Sequence, residues 1–295
     1  MKTKSQKRWS LVANIVLSVS SFLALMPFLL LIIASFTDEE VAMTDGYTYF
    51  PAKWSLAAYD YIVGQAAMIG RAYGMTIITT LIGTSAGIVI TALFAYMLAQ
   101  RKLPGRKLLN FYVVFTMLFN GGLVPTYIMY VGTFHVKNTI WGLIIPNMLI
   151  NGFMIMLVRN YFENSIPEEL YEAARIDGAS EYYNFFHIAL PLSVPILATV
   201  GLMTGIAYWN DWQNGLYYLD DKGKHLYTIQ NILNNINTNI AFLASNATAG
   251  VNLADLPTTT VRMAIAVVGI LPILIIYPFF QKYFAKGLTM GAVKG

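Results

Sequence analysis

WSLVANIVLSVSSFLALMPFLLLIIASFT, residues 9–37, contains no Asp, Glu, Lys or Arg. As a helix rising 1.5 Å per residue the run is long enough to cross roughly 30 Å of hydrocarbon. Lys2, Lys4, Lys7 and Arg8 precede it, as basic residues precede a secretory leader. Its apolar part is about twice the length of a leader's, so we read it as an uncleaved first span.

Five more apolar stretches follow, and the six predicted spans cover 9–37, 72–100, 108–136, 138–158, 188–216 and 261–281. One such run alone could be a buried core helix. Six in 295 residues leave almost no chain for a water-facing domain, and a composition 57% hydrophobic and 12% charged agrees. The expected fold is all-α, one polytopic transmembrane domain over residues 1–295.

Orientation follows from the basic residues between spans. Lys53, Arg71, Lys137, Lys222, Lys224 and Arg262 fall on one side, and the remaining 13 of the 19 Lys and Arg on the other. The side richer in Lys and Arg is cytoplasmic, so both termini are expected there. The six acidic residues between Arg159 and His187 do not change this, because Asp and Glu contribute little to the rule. The net charge of +4 reflects these anchors and does not argue for nucleic acid. With no cysteine there is no disulfide, thiolate metal site or cysteine nucleophile.

Between spans one and two, the aromatic-rich residues 38–71 read as an ordered outer cap, with a short helix over Trp54–Tyr59. The segment from Tyr217 to Thr260, rich in Asn and Thr, reads as a long outer loop suited to binding something. The loop 159–191 differs in kind. Ser165 and Glu168 have capping-box spacing, and Leu170, Ala173, Ala174 and Asp177 share one face of a short helix that Gly178 ends. A second helix starts near Ser180 and runs toward Ile188 and Pro191. Two short helices around a glycine corner make a knob with a small-residue face.

Glu172-Ala173-Ala174, then Gly178, then Ile188-Ala189-Leu190-Pro191 resembles the EAA loop of binding-protein-dependent ABC importer permeases, in spacing and in place between two spans. Further stretches are similar to the maltose-transporter-type carbohydrate branch: Asn120 to Tyr127, Asn138-Thr139, Trp209-Asn210 and the tail from Lys286 to Gly295. The Asn120-Gly121-Gly122 stretch resembles permeases for oligosaccharides released from complex polysaccharides. The resemblance implies a second homologous permease, two cytoplasmic ATPase subunits that bind ATP and Mg, and an extracytoplasmic solute-binding protein. It further implies that Glu172 contacts a basic residue of the ATPase, that Ala173 and Ala174 allow close approach, that Asp177 lies on the same coupling surface, and that Gly178 makes the turn. It also implies that Tyr217–Thr260 reaches toward the binding protein and that the tail reaches the ATPases. The chain has no G-x-x-x-x-G-K-[ST] phosphate loop, so hydrolysis is expected from a partner and no cofactor in this chain.

Sugars need hydrogen-bonding groups beside aromatic faces. The densest such cluster runs from Tyr208 to Asn214, and Trp209, Asn210 and Asp211 are its central candidates. Asn147, Asn151 and Asn120 are further polar residues at or near the spans, although an intramembrane Asn also serves helix-to-helix bonding. Met117, Met129, Met148 and their neighbours read mainly as packing. Few basic residues face outward, so charge alone does not favour an acidic sugar.

Two other classes fit less well. An ion-coupled secondary transporter places ionisable groups near the bilayer midplane, where Asp211 is the single acidic candidate. An intramembrane enzyme needs a nucleophile with its base or a metal cluster, and His135, His187 and His225 have no such spacing.

Overall fold

The computed structural model describes residues 4–245 and 259–292, and among them the chain is all-helical. A single isolated bridge, Thr37 to Trp54, is the one β contact among those residues. The chain divides into two compact units, one of residues 1–69 with 233–271 and the other of residues 70–232 with 272–295.

The first unit opens with α1 (Lys4–Ser35), apolar on every side and with none of its hydrophobic window buried. Such a helix suits lipid or a partner surface, not water. The segment expected to form an outer cap is ordered. It holds α2 (Glu39–Thr44) and begins α3 at Ala57 (Ala57–Gly64), so the short helix lies three residues beyond the expected one. Trp54 is in the bridge to Thr37 and cannot also start a helix. Tyr59 stacks on Phe36 and bonds Ser35 at 2.8 Å, which ties the cap to the end of α1. The Glu39 carboxylate accepts from the backbone N–H groups of Thr259 and Thr260 at 2.9 and 3.0 Å. It thereby caps a helix that begins 220 residues later, where the free N–H groups and the helix dipole favour an anion.

The second unit is built on α4 (Ala66–Ala99), of which residues 70–99 belong to it. Then come α5 (Arg106–Leu118), a break at residues 119–122, and α6 (Leu123–Ile128), which runs on as a π-turn to Thr133. The two helical pieces are bent by 114°, so the third predicted span is not one straight helix. The fourth is broken as well. After α7 (Trp141–Ile144) the backbone leaves the helix until α8 (Gly152–Ser165), with Asn147 at φ +60°. Asn tolerates the left-handed region because its short amide bonds locally.

Next come α9 (Glu168–Ile176) and α10 (Glu181–Tyr183). A π-turn over Asn184–Ala189 and α11 (Leu190–Leu192) then lead to α12 (Val194–Trp209) after a 76° bend. Among the described residues three helical stretches suit a membrane crossing by length and composition, in α1, in α4 and over Thr259–Phe279, or up to five if each bent pair is one span. After α13 (Gln213–Tyr218), the expected outer loop is largely helical. It carries a 3₁₀ turn, Asp221–Leu226, and α14 (Ile229–Ser245). Its apolar residues Ile229, Ile232 and Ile236 are buried at helical spacing, a pattern that the Asn-rich composition masks. Residues 246–258 of that segment lie outside the described residues, as do residues 293–295 of the tail. The last element is α15 (Thr259–Ala292).

Candidate functional site

The knob stands on a core of Ala92, Tyr96, Val158, Phe162, Tyr171, Phe185, Ala189 and their neighbours. Tyr96 is the hub. Its ring meets Phe162, Tyr171 and Phe185 with centroids 5.9, 6.1 and 5.2 Å away, and its hydroxyl donates to Glu181 Oε2 at 2.9 Å. Arg175 donates from Nε to Glu181 Oε1 at 2.9 Å and from a terminal nitrogen to Gln100 Oε1 at 3.0 Å. Arg101 pairs with Glu168 at 3.1 Å, and Arg106 and Arg159 converge on Glu163. Both helices of the knob are thus fastened to the end of α4 and the two residues that follow it, and α8 is fastened to the start of α5. Burial alone would raise the Glu181 carboxyl, but the hydrogen bonds from Arg175 and Tyr96 outweigh it and hold the group below the ordinary range.

Helix α9 buries Tyr171 and turns its other side outward. Glu172, Ala173, Ile176, Asp177 and Gly178 are exposed and Ala174 is half-buried. The expected small-residue face is therefore free, and Ile176, 86% exposed, adds an apolar tip that spacing did not single out. Pro167, not Ser165, is the N-cap: Ser165 ends α8, and the buried Ile166 with the fixed φ of Pro167 starts the turn. The corner is a Schellman turn, in which Ala179 N–H donates to Ala174 O at 2.9 Å and Gly178 N–H to Arg175 O at 3.1 Å. Gly178 has φ +84° and nothing within 4 Å of where a Cβ would lie. Backbone conformation, not space, asks for glycine there. The second helix begins at Glu181, near Ser180 as expected, and Ser180 caps it by accepting from Tyr183 N–H at 3.3 Å.

The second arrangement is a cavity of about 690 Å³ between the broken third and fourth stretches. Asn120, Asn147 and Asn151 all line it, together with Met117, Phe119, Met129, Tyr130 and Phe153. Non-helical backbone within a hydrocarbon layer is tolerated where it lines a cavity, and the 145–151 break does so here. Asn147 also lines a smaller cavity of about 290 Å³ with Asn210, Asp211, Trp212, Gln213 and Asn214.

The candidates divide by their bonding. Asn120 folds its Oδ1 onto Gly122 N–H at 2.8 Å, and Asn151 caps α8 by accepting from Met154 N–H at 3.2 Å. Asp211 Oδ1 accepts from the N–H groups of Gln213 and Asn214 at 3.1 and 3.2 Å and so begins α13. Asn214 in turn donates to Pro146 O at 3.1 Å, which holds α13 against the break beside Asn147. Trp209 does not join Asn210 and Asp211. It is buried, lies 6.5 Å from Tyr73 and lines an apolar cleft with Thr80, Gly205 and Ile276. The end of the helix is the reason, since α12 stops at Trp209 and Asn210 and Asp211 lie in the turn that leads to α13. Phe119, Tyr130 and Phe153 escaped the sequence reading because each is an ordinary apolar residue until the breaks bring it to the cavity. Among the described residues no group of three His, Cys, Asp or Glu could hold a metal ion.

Residues 87–290 match the family described as "Binding-protein-dependent transport system inner membrane component". The chain is 38% identical over 273 residues to protein LplC of Bacillus subtilis, covering 92% of this chain and 90% of that one. It is 37% identical over 275 residues to the polygalacturonan/rhamnogalacturonan transport system permease protein YtcP of the same organism, covering 93% and 94%. Among solved structures it is similar to a chain of a bacterial ABC transporter involved in the import of the acidic polysaccharide alginate. That match has a TM-score of 0.77 and 27% identity, and covers 96% of this chain and 99% of the other.

Proposed function

The chain belongs to the family of binding-protein-dependent transport system inner membrane components, and from that membership we propose that it is a permease subunit of an ABC importer for an oligosaccharide. It works with an extracytoplasmic solute-binding protein, pairs with a second homologous permease, and takes its energy from two cytoplasmic ATPase subunits that bind ATP and Mg. The names of the polygalacturonan and alginate relatives support an oligosaccharide and, more narrowly, an acidic one. Six spans with both termini in the cytoplasm are the proposed topology, supported by the basic residues between the spans.

The knob carries the coupling assignment. Its base is locked through Tyr96, Arg175 and Glu181, while Glu172, Ala173, Ala174, Asp177 and Gly178 lie on the side left open. A rigid base under a small-residue surface suits transmission of a push from an ATPase groove: Ala173 and Ala174 allow close approach, and Glu172 offers a carboxylate to a basic partner. The pathway is assigned to the cavities that Asn120, Asn147, Asn151, Asn210 and Asp211 line. Trp209 supports that wall from behind by packing beside Tyr73.

The test is ATP hydrolysis by the complex co-expressed with its neighbouring permease, ATPase and binding protein. Sugar-loaded binding protein should stimulate hydrolysis with the wild-type chain, and Glu172→Ala and Gly178→Leu should abolish stimulation while the subunits still co-purify. Stimulation that persists in both variants would make the knob merely structural.

A further inference from the structure

We infer that Asn184 is a positioning residue for coupling, one that takes hold of the Glu181 carboxylate when the ATPases draw α9, and Arg175 with it, away from α10. The inference rests on the coupling assignment above. Asn184 is fully buried in the knob, yet neither its amide oxygen nor its amide nitrogen has a hydrogen-bond partner of normal length among the described residues. A buried amide without partners costs free energy, and such groups are rare enough in folded chains to need a reason.

Its surroundings supply one. Asn184 follows Glu181 by three residues, the spacing of helix neighbours, and opens the π-turn that ends at Ala189. Against the upward push of burial, Arg175 and Tyr96 hold the Glu181 carboxyl below its ordinary range and the Asn184 amide adds to them, so the two side chains are neighbours short of a bond. Each carboxylate oxygen already has its donor, Oε1 from Arg175 on α9 and Oε2 from Tyr96 on α4. Glu181 is thus a pin between the helix that carries the open face and the helix beneath it. A pull that separates α9 from α10 strips Arg175 from Oε1. Water can solvate that half-exposed oxygen but fastens nothing, whereas the Asn184 amide travels with Glu181 and can donate to it, keeping α10 in place while α9 moves. The Tyr171 hydroxyl, on α9, is likewise buried without a partner among the described residues. This core therefore holds an unpaired polar group on each side of the joint, and a π-turn beside it, an irregularity often found at functional sites.

Asn184→Leu removes both amide groups and keeps a side chain of similar size. ATP hydrolysis by the complex of both permeases and the ATPases is measured with and without sugar-loaded binding protein, together with the thermal midpoint of the same complex. The expected result is a split. The midpoint is unchanged or raised, because an unsatisfied buried group is gone, hydrolysis without binding protein stays as in wild type, and the stimulated rate falls about threefold or more, as for one lost hydrogen bond. A variant that keeps full stimulation, or one whose midpoint falls along with its rate, overturns the hand-over and leaves Asn184 a packing residue. Should Asn184→Leu not assemble, Asn184→Gln and Asn184→Met decide, being alike in length and different in the donor. Asn184→Gln should keep the greater stimulation, and equal rates overturn the inference. A wild-type complex that binding protein does not stimulate overturns the coupling assignment and the hand-over with it, whereas stimulation that Glu172→Ala abolishes and Asn184→Leu spares overturns the hand-over alone.

Discussion

Tyr171 and Tyr96 are two aromatic residues of one core with opposite needs. The Tyr171 hydroxyl is buried without a hydrogen-bond partner among the described residues, whereas the Tyr96 hydroxyl donates to Glu181 at 2.9 Å. Tyr171→Phe should therefore leave the thermal midpoint of the purified complex unchanged or slightly raised, since it removes an unsatisfied polar group and keeps the ring. Tyr96→Phe should lower it, through a loss of about 1 kcal/mol of stability or less, because the half-exposed Glu181 loses a charge-assisted partner. Gly178 poses a backbone question. At φ +84° an added Cβ costs about 1 kcal/mol although no neighbour obstructs it, so Gly178→Ala should be milder than Gly178→Val, and both should show as a lowered midpoint. Equal midpoints for glycine and valine would contradict the turn.

Between elements, the contact of α4 with α12 depends on a missing side chain. A Cβ at Gly83 would lie 2.3 Å from Tyr208 Cζ, and the Tyr208 ring is held by its hydroxyl bond to Ile144 O at 2.8 Å. Gly83→Ala should cost about 1–3 kcal/mol and lower the yield of folded protein, while Gly83→Ala with Tyr208→Phe should recover part of the loss once the ring can move. The lock between α9 and α10 has a pH signature. The folded pKa of Glu181 lies below its ordinary value of 4.5, so its contribution is fully present above that value and disappears as pH falls through the folded pKa. The midpoint gap between wild type and Glu181→Gln should be constant from pH 7 down to about 5 and close in stronger acid. A gap that widened in acid would contradict the ion-paired state of Glu181.

For the whole molecule, the absence of cysteine makes the proposed topology directly measurable. Lys222→Cys should react with a membrane-impermeant maleimide in intact cells, and Lys102→Cys only after the membrane is opened. Both positions are exposed, so orientation and not burial sets the labelling. Labelling of Lys102→Cys from outside would invert the chain. At this scale composition and charge-free runs were enough to identify an all-helical membrane chain, because every turn of a membrane helix must be apolar and the requirement is local. The glycine corner of the knob was legible for a related reason: a Schellman turn is made by consecutive residues, so Ala174 to Ala179 carry it in order. Tertiary structure alone decided the rest. The breaks at 119–122 and 145–151, the burial of Trp209 away from Asn210, and the helix within the Asn-rich outer segment depend on which face meets which neighbour. So does the gathering of Asn120, Asn147 and Asn151 around one cavity, with Asn147 also in a second beside Asp211. Hydropathy averages over all faces of a helix and cannot tell them apart, whereas packing acts on one face at a time.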